Sequence, residues 1–127
     1  MRLLLDTHAL IWFAANDSRF GKQARQKMQS LDVELYLSVA SVWEMAIKAN
    51  LGRLNLVLPL GAYVQEKIDA GLHILPIEWH HSSAVVNMPL HHKDPFDRLI
   101  IAQALIENMP VVSGDPIFKS YGLKIVW

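Results

Sequence analysis

Four acidic residues stand where predicted strands end or where the helices after them begin: Asp6, Glu44, Asp97 and Asp115. In an open parallel sheet, ligands gather outside the carboxyl ends of the strands. Like charges brought together in such a crevice repel each other, and their pKa values rise unless a cation neutralises them. A cluster of these side chains therefore predicts a bound metal ion.

The chemistry of such a site follows from its ligand atoms. The chain has no cysteine, so a metal ion can be held only by oxygen or imidazole ligands. The carboxylate oxygens of these acids favour Mg2+ or Mn2+. An ion of this kind lowers the pKa of a bound water and contacts a phosphate oxygen, and two ions roughly 3.5 to 4 Å apart stabilise both the attacking and the leaving oxygen. Phosphodiester hydrolysis is the reaction that this site suits.

The first two acids also have purely structural interpretations. Asp6 can cap the helix that follows it, although its neighbour Thr7 offers the same cap and leaves Asp6 free. Glu44 can pair with Lys48 one helical turn later, but the residues on both sides of Glu44 are apolar. A charge in such surroundings is partly removed from water and needs a partner.

The other two acids are equally ambiguous when taken alone. Asp97, like Asp94, can complement the dipole of a helix terminus. Asp115 precedes Pro116, an arrangement typical of turns. The prediction of a site therefore rests on the four strand-end positions falling on one rim.

Length and composition indicate a single folded domain over residues 1–127, with 52% apolar residues. Twelve acidic residues balance twelve Lys and Arg, so no long-range positive field draws the chain to nucleic acid. The apolar run at the amino terminus is too short for a signal peptide or a membrane span. We expect a cytoplasmic protein that contacts no membrane.

Short β-rich runs alternate with stretches of helical periodicity, which predicts an α/β fold with a parallel sheet and helices on both faces. The strands are predicted at residues 2–6, 35–38, 72–77, 110–113 and 124–127. The helices are predicted through residues 10–13 and at about 20–31, 39–50, 59–71, 78–87 and 94–108, with Ser18 capping the second.

The clearest helix covers residues 94–108. Asp94 is its predicted N-cap, Pro95 takes the first helical position, and Asp97 the third. Apolar residues cover nearly all its sides, so we expect this helix to be buried.

Three segments resemble the motifs of the PIN-domain nucleases, and more closely those of the toxin ribonucleases of VapBC toxin–antitoxin systems. They are LLLDTHAL at 3–10, SVASVWEMAIK at 38–48 and DPFDRLIIAQA at 94–104, and the resemblance covers essentially the whole chain. Carried over by position, it makes Asp6, Glu44 and Asp97 the core metal-binding acids and Asp115 the more variable fourth. It also places Ser113 where the family often has threonine, as a hydroxyl that steadies the acids or the water.

The resemblance implies a three-layer α/β/α sandwich with a mostly parallel sheet of four to five strands. It further implies an Mg2+- or Mn2+-dependent endoribonuclease that is a homodimer and is inhibited by a cognate VapB-like antitoxin. The alternative is a catalytically silent PIN-like module that binds RNA or a protein without cutting.

Several basic residues lie near the proposed ligands. Arg98 and Lys48 can hold a substrate phosphate or form structural ion pairs with the ligand carboxylates. His91 and His92 precede the helix and are candidates for substrate contact. His80 and His81 lack the spacing of a zinc motif, and adjacent histidines on a helix point in different directions.

The tryptophans and one apolar segment are each predicted either to pack internally or to serve an interface. Trp12 and Trp43 lie in apolar helical stretches and are predicted to pack internally, whereas Trp79 and Trp127 look free to serve an interface. The segment 54–58 either covers a partner's surface or forms a buried strand or hairpin.

Two other classes of protein with a similar layout are disfavoured. A receiver domain uses adjacent acids after its first strand, and here Thr7 follows Asp6. A haloacid-dehalogenase-type phosphatase needs a second aspartate two residues beyond the first, where this chain has His8.

Overall fold

The apolar run near the amino terminus forms the central strand of a parallel sheet. In the computed structural model, which describes residues 1–127, the strands are β1 (Arg2–Leu5), β2 (Glu34–Ser38), β3 (His73–Leu75), β4 (Val111–Val112) and β5 (Ile125–Val126). Their order is β3-β2-β1-β4-β5, and every neighbouring pair is parallel. All five strands therefore end on the same side of the sheet.

Helices cover both faces of this sheet. They are α1 (Thr7–Ala14), α2 (Lys22–Met28), α3 (Val39–Asn50), α4 (Leu60–Asp69), α5 (Trp79–Ala84) and α6 (Pro95–Glu107), with short 3-10 helices at Val85–Asn87 and Pro116–Tyr121. The predicted α/β/α class with a five-stranded parallel sheet is confirmed. None of the helices has the length and apolarity needed to cross a lipid bilayer.

The alternation of side chains along β1 divides the interior into two layers. Leu3 and Leu5 belong to one buried cluster, with residues of α1, α2 and α4. Leu4 points to the opposite face and joins a second cluster, which contains Ile100 and Ile101 of α6. The part of β1 that is buried on both faces, Leu3 to Leu5, must be apolar, which explains why the next polar residue is Asp6, where the strand ends.

The helix α6 is capped as its sequence predicts. Asp94 accepts a hydrogen bond from the backbone N–H of Asp97 at 2.9 Å, and Pro95 takes the first helical position. The buried amide of Gln103 contacts the Ser38 hydroxyl and donates to the carbonyl of Pro76 at 3.1 Å, which joins α6 to the ends of two strands. These contacts fix the first turn of α6, and with it Asp97, at the carboxyl edge of the sheet.

The start of α2 differs from the prediction. Gly21, not Ser18, is its N-cap, and the helix covers only Lys22–Met28. Phe20 is buried in the core at 4% exposure, and its backbone N–H bonds the carbonyl of Asp17. The chain therefore forms a tight turn to bury Phe20 before the helix can begin.

The apolar segment at 54–58 is neither strand nor hairpin. Leu54, Leu56 and Leu58 pack against the first core cluster, while Val57 between them is 95% exposed. The segment covers the chain's own core, so most of its apolar surface needs no partner.

Candidate active site

The four predicted acids line one open groove of about 550 Å³ at the carboxyl edge of the sheet. Asp6 follows β1, Glu44 lies on α3, Asp97 on α6 and Asp115 in the loop after β4. Chain segments far apart in sequence thus bring carboxylates to the groove beside the end of β1. Its other lining residues are Thr7, His8, Trp12, Arg19, Lys48, Asp94, Gly114, Phe118 and Trp127.

Asp6 combines two tasks at the end of the central strand. It is the N-cap of α1, since its Oδ1 accepts from the N–H of Ala9 at 2.7 Å. Burial raises the pKa of this carboxyl, and the negative charge of Asp115 adds to the rise, against the hydrogen bond from Ser113 and the Ala9 N–H. A carboxylate that is 6% exposed and lies in a groove of like charge is a favourable ligand for a cation.

Thr7 does not serve as the helix cap that the sequence suggested. Its hydroxyl is buried and donates to Oε1 of Glu44 at 2.8 Å, with the Ser41 hydroxyl 2.9 Å away. The other carboxylate oxygen, Oε2, accepts from Lys48 Nζ at 2.6 Å. Both carboxylate oxygens of Glu44 therefore accept hydrogen bonds. Glu44 forms the predicted ion pair with Lys48 and also lines the groove.

Asp97 is the acid whose protonation the site perturbs most clearly. Burial raises the pKa of its carboxyl to about 6, and the charges of Asp94 and Glu44 add to the rise. His92 opposes the rise: its Nε2 lies 3.2 Å from Oδ2 of Asp97. Asp97 therefore binds a proton far more readily than a free aspartate, and a cation beside it would offset the cost of ionising it.

Asp115 is the fourth acid of the groove, and Ser113 lies beside it in the sequence. Asp115 is exposed and caps the 3-10 helix after it, because its Oδ1 accepts from the N–H of Ile117 at 3.0 Å. The buried Ser113 hydroxyl accepts from the N–H of Asp115 at 3.0 Å, and Ser113 also lowers the pKa of the Asp6 carboxyl against the effect of burial. Ser113 thus influences both the first and the fourth acid.

The acids share a groove without meeting at one point. The only set of three or more potential metal ligands whose ligand atoms all lie within 4.8 Å of one another is His80, His81 and Glu107, outside this groove. Mg2+ keeps several waters and takes only one or two carboxylates directly, so a site for it need not bring three carboxylates within that distance. The all-oxygen donor set fits Mg2+ or Mn2+.

The histidine cluster has a different hydrogen-bonding role. The Nδ1 atom of His81 accepts from the N–H of Glu78 at 2.9 Å, which places the ring proton of a neutral imidazole on Nε2. That buried Nε2 lies 3.6 Å from Glu107 and has no hydrogen-bond partner. A protonated Nε2 cannot coordinate a metal, which leaves the four acids as the candidate metal ligands.

Arg98 does not take either role that the sequence suggested. It is 8% exposed, does not line the groove, and pairs with no carboxylate. Its guanidinium donates to the carbonyl of Pro89 at 2.9 Å and to the Tyr121 hydroxyl at 3.1 Å. The buried guanidinium needs acceptors, and the loop before α6 supplies a carbonyl to it.

A chain of hydrogen bonds leads from Arg98 to the groove. When the Asp97 carboxylate accepts from Nε2 of His92, Nδ1 of that ring is left to accept from the Tyr121 hydroxyl, 2.7 Å away. His92 was expected to touch substrate, and it instead orients Asp97. Only the tertiary structure reveals this contact, since Tyr121 is 29 residues away in sequence.

Replacing Arg98 with alanine is expected to lower the free energy of unfolding by about 2 kcal/mol, because it removes a buried side chain and its charged hydrogen bonds to the Tyr121 hydroxyl and to the half-buried loop before α6. Urea unfolding followed by circular dichroism measures the effect. Arg53→Ala, at an exposed position, is the matched control and should leave the urea midpoint unchanged. An Arg98→Ala midpoint equal to that of the wild type would refute this structural role.

Two of the four tryptophans lie where the sequence did not place them. Trp12 packs against the first core cluster as expected and also lines the groove, whereas Trp127 lies partly buried at the groove's edge and is not free for an interface. Trp43 is 61% exposed on α3, although the pattern predicted packing. The position of Trp12 had a signal in the sequence: His8 and Trp12 are four residues apart on the helix that starts beside Asp6, so they share its face.

Comparison with known proteins agrees with this architecture. A family model for the PIN domain matches residues 3–124. The chain is 29% identical over 122 residues to Ribonuclease VapC22 of Mycobacterium tuberculosis, an alignment that covers 94% of this chain and 91% of the relative.

Solved structures share the fold at low sequence identity. The DNA-bound VapBC of Salmonella typhimurium superposes with a TM-score of 0.72 at 17% identity, over 98% of this chain and 96% of that one. VapBC-1 of nontypeable Haemophilus influenzae gives 0.68 at 19% identity, with coverage of 98% and 96%. With the family match over nearly its full length, this chain belongs to the PIN domain family.

Proposed function

We propose that this chain is a metal-dependent endoribonuclease that hydrolyses phosphodiester bonds of RNA, and that it is the toxin of a toxin–antitoxin pair. The observation that carries the proposal is the groove in which Asp6, Glu44, Asp97 and Asp115 lie together within a PIN domain. The similarity of the chain to Ribonuclease VapC22 supports RNA as the substrate. A ribonuclease of this kind acts in the cytoplasm, and we include that location in the proposal.

The four acids are the residues that would hold Mg2+ or Mn2+. An ion bound there supplies a Lewis acid for the phosphate and lowers the pKa of a water molecule. Asp6 and Asp97 would be the foremost ligands, because burial raises the pKa of each and a cation would offset the cost of ionising them.

The chain's other groove residues position the reactants. The hydroxyl of Thr7 and the ammonium of Lys48 hold the two oxygens of Glu44, so this carboxylate keeps one orientation. The Lys48 side chain is 40% exposed and can contact a phosphate of the substrate as well. Such a local cation matters because the chain as a whole has no net charge to attract RNA.

Purified protein is expected to cleave single-stranded RNA when Mg2+ or Mn2+ is added, and an excess of EDTA should stop the reaction. A 5′-labelled RNA resolved on a denaturing gel shows internal cuts directly. Failure to cut with either ion would favour the catalytically silent alternative, in which the groove binds RNA or protein only. Undiminished cutting in EDTA would exclude the metal mechanism.

We propose two partners for the chain, a cognate VapB-like antitoxin and a second copy of the chain; the likeness to VapBC structures supports the first. We propose that the antitoxin is encoded beside this gene and blocks the groove. Co-expression with the product of the adjoining small gene should suppress RNA cleavage and yield a co-purifying complex. Cleavage that persists in a stable complex would reject inhibition by that partner.

A further inference from the structure

One wall of the groove is aromatic and carries a cation. We refer to His8, Trp12, Arg19 and Trp127 as the aromatic wall. The ring centroids of His8 and Trp12 are 5.6 Å apart, and those of Trp12 and Trp127 are 5.9 Å apart. Because α1 starts directly after Asp6, this wall adjoins the acid that ends the central strand.

The position of Trp127 requires two glycines. A Cβ added at Gly114 would lie 2.6 Å from the indole of Trp127, and one at Gly21 would lie 2.4 Å from its carbonyl carbon. Phe20 also packs edge-on against the indole, with the ring centroids 5.2 Å apart. The indole is thus held firmly at the edge of the groove, next to the loop that carries Asp115.

Arg19 is exposed, but its side chain is positioned by contacts with Trp12 and Asp17. Its guanidinium lies 4.6 Å from the centre of the Trp12 ring and donates two hydrogen bonds to Asp17, at 3.1 and 2.8 Å. These bonds lower the pKa of Asp17 to about 2, so the pair stays charged over the physiological range. The guanidinium thus covers one face of the Trp12 ring, and on that side the wall presents a planar cation.

We propose that the aromatic wall binds a nucleobase of single-stranded RNA next to the phosphate held at the acids, an inference that rests on the proposed ribonuclease function. Unpaired bases stack on aromatic side chains and on arginine planes. The groove is open and polar, with carboxylates on one side, so a flat aromatic ligand joined to a phosphate matches both sides. An apolar ligand would leave the carboxylates uncompensated.

Stacking on an aromatic ring tolerates every base, and its loss on removing Trp12 should weaken RNA binding about tenfold. Binding is measured in the Asp97→Asn background with Mg2+, so that the probe stays uncut, by the anisotropy of a short fluorescein-labelled single-stranded RNA. Adding Trp12→Ala should weaken binding, whereas adding Trp12→Phe should preserve most of it, because phenylalanine still presents an aromatic face.

Two controls separate stacking from other effects. Trp43→Ala removes an exposed tryptophan outside the groove and should leave the affinity unchanged. An RNA of the same length with abasic nucleotides keeps the phosphates and should bind equally well to the Trp12→Ala protein and to its parent. Equal affinity of both proteins for the normal RNA would overturn the proposal and leave the wall as a surface for a protein partner.

Failure of the base-binding proposal can be distinguished from failure of the proposed ribonuclease function. If the wild type does not cleave RNA but the Trp12→Ala protein loses affinity, the base site stands and the ribonuclease assignment fails. If the wild type cleaves RNA and Trp12→Ala binds as tightly as its parent, only the base site is rejected.

Discussion

The Asp97→Asn variant is expected to cleave RNA at least about 100-fold more slowly than the wild type. The amide keeps the shape of the side chain but removes the negative charge that would hold the ion, and loss of about 3 kcal/mol of transition-state stabilisation corresponds to this factor. Initial rates on a labelled single-stranded RNA at saturating Mn2+ measure the effect.

A matched control isolates the cause of the loss. Asp69→Asn makes the same chemical change on the exposed end of α4, outside the groove, and should cleave RNA at the wild-type rate. If Asp97→Asn is as active as Asp69→Asn, Asp97 does not belong to the catalytic machinery. The helix cap from Asp94 to the N–H of residue 97 does not involve the altered side chain, so the fold should survive.

The same substitution is expected to stabilise the metal-free protein at neutral pH. The pKa of Asp97 is about 6 in the folded protein, against an ordinary value of 3.8. The folded state therefore binds more protons than the unfolded chain between these values, and its stability falls as the pH rises through this window. At about 1.4 kcal/mol per unit of pKa, the cost reaches about 3 kcal/mol above pH 6.

Asparagine cannot ionise, so Asp97→Asn avoids this cost. In EDTA, the variant should exceed the wild type in free energy of unfolding by up to about 3 kcal/mol at pH 7.5 and by much less at pH 4. Urea titrations at both pH values measure the two differences. A gap that is the same at pH 4 and pH 7.5 would contradict the raised pKa.

Mn2+ gives a further check on this account. A ligand that binds only the folded state stabilises it, so Mn2+ should raise the unfolding midpoint of the wild type more than that of Asp97→Asn. Together with the loss of cleavage, this outcome would show an active site that is maintained at the expense of stability in the metal-free protein.

The sequence predicted the positions of the acids well, because they depend on local patterns. The apolar run of β1 ends at Asp6, and the Asp94-Pro95 cap fixes where α6 starts and so where Asp97 lies. Strand ends and helix caps are set by a few neighbouring residues, and a parallel sheet then brings those ends to one edge.

The partners of the supporting side chains could not be predicted in this way. Arg98 follows Asp97 directly, yet its guanidinium binds Tyr121 and the carbonyls of the preceding loop. Nothing in the sequence around Trp127 constrains its side chain, and only the fold brings Gly21 and Gly114 against it. Such contacts join residues that are distant in sequence, and periodicity carries no information about them.

The central claim is that the acids of the groove bind a divalent cation, and calorimetric titration with Mn2+ tests it most directly. We expect saturable uptake by the wild type, none by the Asp6→Asn/Asp97→Asn double variant, and wild-type uptake by Glu107→Gln, which alters only the histidine cluster. Uptake by the double variant equal to that of the wild type, or its loss in Glu107→Gln, would contradict the claim.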